Sequence, residues 1–271
     1  MKKLILFDID GTIVTECANN SARYIPDSLT KAIVKLQQNG HLCFINTGRS
    51  FGEVDTAIRE LPFDGYICGC GTYILYQGKE LLTTEFPVSL RLQIIEDLQK
   101  CNLDWLLEGT KAVYYSDESY TTHIGDFMEE HKEIIPEAFH IMSPDRAKEI
   151  LPDFNKFCLC LPDTRHDFAW FQQKYANKLD FIDRKGGFYE VIPKGHSKAS
   201  GIQFLEDYFA IPHENTIAIG DSTNDLPMLE YASYSIAMGN SLPDILPYVD
   251  YVTDTVENDG IYKAMQHLHL I

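Results

Sequence analysis

Asp8 and Asp10 stand two residues apart, directly after the apolar run Leu4-Ile5-Leu6-Phe7 and directly before Gly11. Two carboxylates at that spacing share a face if the backbone is still extended. Held close together they repel, so either a cation joins them or one keeps its proton. One is then suited to attack phosphorus, the other to hand a proton to the departing oxygen and later to activate water. Read alone, the pair is equally well two loop aspartates capping a helix. A second acidic group, Gly220-Asp221-Ser222-Thr223-Asn224-Asp225, follows another apolar run far along the chain. Asp221 and Asp225 are four apart, one helical turn, so both carboxylates can face one way. With Asn224 beside them they make an oxygen-rich set of the kind Mg2+ takes together with a phosphate. A helix cap by Asp221 is the plainer reading, and it leaves Asn224 and Asp225 without a role.

Two further motifs could grip an anion. Thr47-Gly48-Arg49 follows the apolar run Leu42–Asn46. The Thr47 hydroxyl and the N–H groups around Gly48 can hold phosphoryl oxygens. An ordinary cap would also account for Thr47, and Arg49 either binds an anion or lies on a solvated helix face. Lys198 follows Ser197, a residue type that caps helices. A cation in the first helical turn opposes the helix dipole by roughly 0.3–1 kcal/mol, which points to an anionic partner there. Lys194 has a similar but weaker claim. Taken together, the four motifs supply a nucleophile, an acid/base, a phosphate grip and a metal site. That inventory fits phosphoryl transfer, in which positioning and charge stabilisation do most of the work.

The elements around these residues place them on one rim. Leu4–Phe7, Leu42–Asn46 and 65–70 read as buried strands, separated by helices over Ser28–Gln38 and about Phe51–Leu61. This β-α-β-α-β order predicts a doubly wound parallel sheet of Rossmann-like α/β type. Its ligands bind outside the carboxyl ends of the strands, where Asp8, Thr47 and Asp221 would converge. The rhythm then changes. A hairpin over Tyr73–Thr84 leads to helices near Val88–Cys101, Tyr120–His131, Asp145–Leu151 and Arg165–Asn177. Strands are expected between them, near Asp104–Glu108, Ala112–Ser116, Phe157–Leu161, Asp180–Asp183 and Phe188–Ile192. The parallel pattern resumes with a helix over Lys198–Phe209, a strand over Thr216–Ile219, a helix over Leu226–Tyr231, strands over Tyr234–Met238 and Tyr248–Val252, and a helix over Gly260–Leu268. The expected organisation is a discontinuous core, residues 1–84 and 191–271, interrupted by an α+β domain over 85–190. Trp105 and Trp170 read as core of that insertion, and His267 and His269 as a solvated tail.

The chain has 271 residues, of which 40 are acidic and 23 basic, giving a formal net charge of -17. Such a surface suits neither nucleic acid nor anionic lipid. It also repels an anionic substrate at long range, but salt screens that repulsion beyond about 8 Å. A locally positive pocket can therefore still capture a phosphate. The seven cysteines (Cys17, Cys43, Cys68, Cys70, Cys101, Cys158 and Cys160) are odd in number and lack a disulfide spacing. Cys68/Cys70 and Cys158/Cys160 also lack the usual zinc spacing. Buried thiols in a reducing compartment, the cytoplasm, are the expectation. The apolar start is too short for a secretory signal, and no run is long enough to cross a membrane.

In this order, each at a strand end, the motifs resemble those of the haloacid dehalogenase superfamily of phosphohydrolases. The resemblance covers the whole chain and is closest to the Cof-type subgroup with an inserted type-2, C2B-like α/β cap. Asp8-Ile9-Asp10-Gly11-Thr12, Lys194-Gly195-His196-Ser197-Lys198 and Gly220-Asp221-Ser222-Thr223-Asn224-Asp225 carry it, and Thr47-Gly48-Arg49 supports it. It implies that Asp8 forms an aspartyl-phosphate and Asp10 is the general acid/base. Thr47, Gly48, Lys198 and Asn224 would hold the phosphoryl group. Asp8, the Asp10 carbonyl and Asp221 would hold Mg2+, with Asp225 orienting that shell and Arg49 in support. The cap would contact the leaving group, with Glu108, Tyr189, Glu190 and the Gly186-Gly187 turn as candidates. Cys70-Gly71 stands where the family usually has Asn-Gly, a departure that could alter leaving-group contacts. The implied activity is hydrolysis of small phosphomonoesters, sugar phosphates foremost. A sugar phosphomutase and a non-catalytic phosphometabolite-binding protein are the other readings. Leaving group and oligomeric state stay open.

Overall fold

The computed structural model describes residues 1–15, 23–116 and 119–271. Its contacts divide into two units: Met1–Gly48, Arg59–Leu81 and Ser197–Ile271 form the first, and Arg49–Ile58 with Leu82–His196 the second. The stretch Arg49–Ile58, expected within the first domain, thus groups with the insertion. Its strands are, in chain order, β1 (Leu4–Phe7), β2 (Leu42–Asn46), β3 (Gly65–Cys68), β4 (Tyr73–Tyr76), β5 (Lys79–Thr83), β6 (Asp104–Glu108), β7 (Val113–Ser116), β8 (Phe139–Met142), β9 (Lys156–Cys160), β10 (Leu179–Asp183), β11 (Phe188–Pro193), β12 (Thr216–Gly220), β13 (Tyr234–Ala237) and β14 (Tyr251–Val252).

The first unit is built on an eight-stranded sheet of order β14-β13-β12-β1-β2-β3-β4-β5. From β14 to β3 every pairing is parallel, and β4 runs antiparallel to β3. β1, β2, β3 and β12 are buried along their whole length. Burial on both faces is why these strands read as unbroken apolar runs rather than alternating ones. β1 lies between β2 and β12, with Phe7 in register with both Ile45 and Ile219. The chain therefore winds away from β1 in opposite directions, and the loops after β1, β2 and β12 leave the sheet side by side.

The second unit carries a six-stranded sheet of order β10-β11-β9-β6-β7-β8. Neighbours along β6 point to opposite faces. Trp105 and Leu107 join a core with Ile94, Ile95 and Leu98 of the helix Val88–Lys100 and with Phe171 and Tyr175 of the helix Phe168–Tyr175. Leu106 faces the other way, with Cys158, Cys160 and, from the helix Ile124–Ile134, Ile124 and Met128.

The structure corrects the sequence reading at several points. The helix expected over Phe51–Leu61 is two short turns, Phe51–Glu53 and Thr56–Arg59. The Ser50 N–H donates to the Glu53 carboxylate at 2.8 Å where the first begins, and the Asp55 carboxylate accepts the Ile58 N–H at 3.1 Å to start the second. The helix expected from Tyr120 begins at Ile124, because the Asp104 carboxylate takes the N–H groups of Thr121 and Thr122 at 2.8 and 2.9 Å. β8 was not foreseen; only its end residues are buried, too few to give a periodic signal. Trp170 is not core. It sits on the outer face of its helix at 49% exposure, under the Lys174 ammonium, while Phe168, Phe171 and Tyr175 hold the inner face. The six described cysteines are buried thiols, and Cys17 lies outside the described residues. Among the described residues, no helix is long and apolar enough to cross a membrane.

Candidate active site

Asp8 is the first residue past β1, and its N–H donates to the Ile219 carbonyl of β12 at 3.0 Å. That bond carries strand geometry one residue beyond the strand and buries the side chain, leaving it 3% exposed. The chain then folds back. The Ile9 carbonyl accepts the N–H groups of Thr12, Ile13 and Val14, and Gly11 takes a left-handed φ of 71°. Glycine is required there on two counts. The conformation strains L residues, and a Cβ would lie 2.3 Å from Asp221 Oδ2. The turn separates the two carboxylates: Asp8 points inward, while Asp10 is 43% exposed and lies 3.7 Å from the Arg23 guanidinium.

Lys198 comes to Asp8 from the helix Lys198–Phe209. Ser197 caps that helix, its hydroxyl accepting the Ser200 N–H at 3.1 Å. The Lys198 ammonium, only 2% exposed, donates to Asp8 Oδ1 at 2.7 Å and to Asp225 Oδ1 at 2.6 Å. The sequence places Asp221 and Asp225 on one helical turn, and here the structure differs. Ser222 is the capping residue, and Thr223–Asp225 is a single tight turn. Asp225 folds back on it, its Oδ2 accepting the N–H groups of Asp221 and Ser222 at 2.9 and 3.2 Å. One carboxylate therefore fixes both the loop and the lysine. Asn224, half-buried, accepts the Ser222 hydroxyl at 2.6 Å.

Among the described residues, Asp8, Asp221 and Asp225 form the group whose ligand atoms approach closely enough to hold a metal ion. Three buried carboxylates face one buried ammonium, an imbalance that costs free energy unless a proton or a cation offsets it. The titration behaviour reflects this. Burial first, then the charge of Asp225, pushes the Asp8 carboxyl up to about 7 against the pull of Lys198. Burial alone would lower Lys198, but Asp225 and Asp8 override it and hold the ammonium above its ordinary value. An all-oxygen donor set with excess negative charge fits a hard divalent cation such as Mg2+.

Thr47 is 2% exposed at the end of β2. Its N–H donates to the Ile67 carbonyl at 2.9 Å, and its carbonyl accepts the Cys70 N–H at 3.2 Å. Gly48 closes the first stretch of the first unit. Arg49 groups with the second unit, where its guanidinium donates to the Glu53 carbonyl at 3.3 Å.

Glu108 and Glu190, read as leaving-group candidates, are buried in the second unit and share Lys156, at 2.7 and 2.9 Å. Burial and the neighbouring Glu53 drive the Glu108 carboxyl well above its ordinary range. Glu190 shows the opposite outcome: burial opposes its charge, but Lys156 and Arg184 hold it far below the usual carboxylate range. Tyr189 packs its ring on Phe168 at 4.5 Å, and Gly186 and Gly187 both have positive φ.

Three residues were given no role by the sequence reading. The Thr12 hydroxyl, fully buried, donates to Asp221 Oδ1 at 3.3 Å. Asn240 Nδ2 donates to the Gly11 carbonyl at 2.7 Å, and Asn46 Nδ2 to the Lys198 carbonyl at 3.0 Å. Each lies at or just past a strand end on the rim already identified, which is the signal that could have found them.

A family profile for haloacid dehalogenase-like hydrolases matches residues 5–265. The Bacillus subtilis protein YkrA is 29% identical across 99% of this chain and 98% of its own length. YitU of the same organism, named a 5-amino-6-(5-phospho-D-ribitylamino)uracil phosphatase, is 23% identical across 97% of this chain and 96% of its own. The solved structure of BT4131, described as a HAD subclass IIB sugar phosphatase, matches with a TM-score of 0.76 at 24% identity, covering 99% of this chain and all of the other.

Proposed function

The chain belongs to the haloacid dehalogenase-like hydrolase family, and from that premise we propose that it is a Mg2+-dependent phosphatase of small phosphomonoesters, with sugar phosphates the leading class. One observation carries the reading: a buried Asp8 held by Lys198 beside Asp221 and Asp225. The names of YitU and BT4131, both phosphatases of small phosphorylated compounds, support the substrate class.

An Asp8 oxygen attacks phosphorus, forming the Asp8 O–P bond as the bond to the leaving oxygen breaks. Asp10, the more exposed carboxyl, protonates that oxygen so that it departs as an alcohol. Water then attacks the aspartyl-phosphate while Asp10 takes its proton, and phosphate leaves with Asp8 restored. Lys198, Thr47 and Asn224, with the Gly48 backbone, hold the phosphoryl oxygens and offset their charge. Asp8, the Asp10 carbonyl and Asp221 would hold Mg2+, which supplies positive charge at the phosphoryl group. Asp225, already engaged by Lys198 and two N–H groups, orients that set.

Phosphate release from a panel of phosphomonoesters, with Mg2+ and with chelator, tests the proposal. Release that stops with chelator is expected. No release from any ester, with the phosphoryl group moving instead between sugar hydroxyls by phosphorus NMR, would establish a mutase in its place.

A second expectation concerns pH. A proton on Asp8 competes with Mg2+ for the same oxygens. Since the metal-free carboxyl sits at about 7, Mg2+ affinity is expected to fall roughly tenfold per pH unit below that point and to level off above it. Calorimetric titrations from about pH 6 to about pH 8 read the slope. An affinity flat across that window would overturn the competition.

A further inference from the structure

Lys198 and Thr47 come from different elements, and nothing in either element alone fixes the distance between them. The turn after β3 supplies a connection. Gly69, Cys70 and Gly71 have φ values of 57°, 54° and 87°, three left-handed residues in a row. At Cys70 this conformation strains any L side chain, so the surroundings must impose it. They do so from both sides. The Cys70 N–H donates to the Thr47 carbonyl at 3.2 Å. Gly71 lies so close to the start of the Lys198–Phe209 helix that a Cβ there would meet the Ser197 carbonyl at 2.5 Å. One turn into that helix, Gly201 lies against Ile67 of β3, where a Cβ would meet the Ile67 side chain at 2.4 Å. The Asn46 amide, fully buried beside Thr47, donates to the Lys198 carbonyl and closes the ring.

We propose that Cys70, through its left-handed backbone, and Asn46, through its amide, are positioning residues that set Lys198 against Thr47. The departure from the family's usual Asn at position 70 then has a definite meaning. Asparagine tolerates the left-handed region better than most residues, and cysteine here meets the same backbone requirement by constraint. The inference concerns the backbone of Cys70 and assigns no role to its thiol. It rests on the phosphatase reading for the meaning of Lys198 and Thr47.

The test is a pair of substitutions at one position. Cys70→Val places a β-branched residue where left-handed φ is strongly disfavoured, and Cys70→Gly removes the strain while keeping the conformation. Turnover of p-nitrophenyl phosphate with Mg2+ and calorimetric binding of orthovanadate, a mimic of the phosphoryl transition state, are measured on each, with circular dichroism to confirm folding. For Cys70→Val, kcat is expected to fall about 30- to 100-fold with KM changed less than about threefold, and vanadate affinity to fall by at least about tenfold, because small misplacements act on the transition state more than on the ground state. Cys70→Gly is the rescuing control, expected within about threefold of the parent on every measure. A folded valine variant that matches the parent, or a glycine variant that falls as far as valine, overturns the proposal. If the valine variant does not fold, Asn46→Ala takes its place, and an unchanged kcat with unchanged vanadate affinity there overturns it as well. A parent that releases no phosphate sinks the phosphatase reading instead, and vanadate binding across the same variants still decides whether the ring positions the anion grip.

Discussion

Asp8→Asn is expected to lower phosphate release by about 10^4-fold or more, the scale on which loss of a covalent nucleophile acts in other enzymes. The amide oxygen cannot form the phosphoryl bond, and neither Asp10, half-exposed beside Arg23, nor Asp225, occupied by Lys198 and two N–H groups, can replace it. The same substitution is expected to raise stability in the absence of metal. The Asp8 carboxyl is pushed up from 3.8 to about 7 in the fold, by burial above all. Its favourable contribution is fully present below the unfolded value and is lost as pH rises through about 7. Above that point the parent carries an ionised, buried carboxylate that the variant lacks, while Lys198 keeps Asp225 as its partner. Thermal melts with chelator should therefore show Asp8→Asn above the parent at alkaline pH, with the gap closing as pH falls. A variant that is inactive and also destabilised at high pH would mean that Asp8 serves the fold rather than the chemistry.

Lys198→Met should damage both activity and stability. It leaves Asp8 and Asp225 buried without their shared cation, and removing one member of a buried ion pair costs about 3–5 kcal/mol. The folded pKa of Lys198 lies above its ordinary 10.5. Its contribution is thus complete through the neutral range and is lost only as pH rises through the folded value. Asp8 can partly compensate by taking up a proton, so the loss should be smaller on the acid side of about 7 than on the alkaline side. Turnover should fall by about 10^2- to 10^3-fold, the effect of removing a preorganised charge from a transition state. Lys198→Arg is not expected to restore it, since a planar guanidinium does not fit a slot built for an ammonium at 2.7 and 2.6 Å from two carboxylates. Urea melts and steady-state kinetics at two pH values check both halves. A stable and active methionine variant would remove Lys198 from the site.

The parts of the molecule that could be read in advance are those whose signals are local. The helices Lys198–Phe209 and Leu226–Tyr231 begin and end where the sequence places them, because capping and apolar spacing lie within a few residues of each boundary. The central strands were legible for the opposite reason: buried on both faces, they must be apolar throughout. What the sequence left unread depends on partners outside the local pattern. Asp104 decides where the helix after residue 120 starts, and no pattern near Tyr120 reports it. Asp225 reads by spacing as one of a carboxylate pair with Asp221, and its bond to Lys198, 27 positions away, appears only in the folded chain. Asn46 reads as the last residue of a strand; its contact with Lys198 spans 152 positions. Residue types and strand ends located the rim, and the folded chain assigned the work within it.

The place of β1 in its sheet has a consequence for how the protein is made. Its neighbour on one side, β2, begins at Leu42, but its neighbour on the other, β12, begins only at Thr216. At a synthesis rate of about 5–20 residues per second, β1 waits roughly 10–40 s after leaving the ribosome for the strand that completes its hydrogen bonding. Throughout that interval a fully apolar strand keeps one edge unpaired, a standing invitation to pair with another nascent chain. Yield on expression should therefore respond to translation speed and temperature more steeply than the stability of the finished protein would foretell.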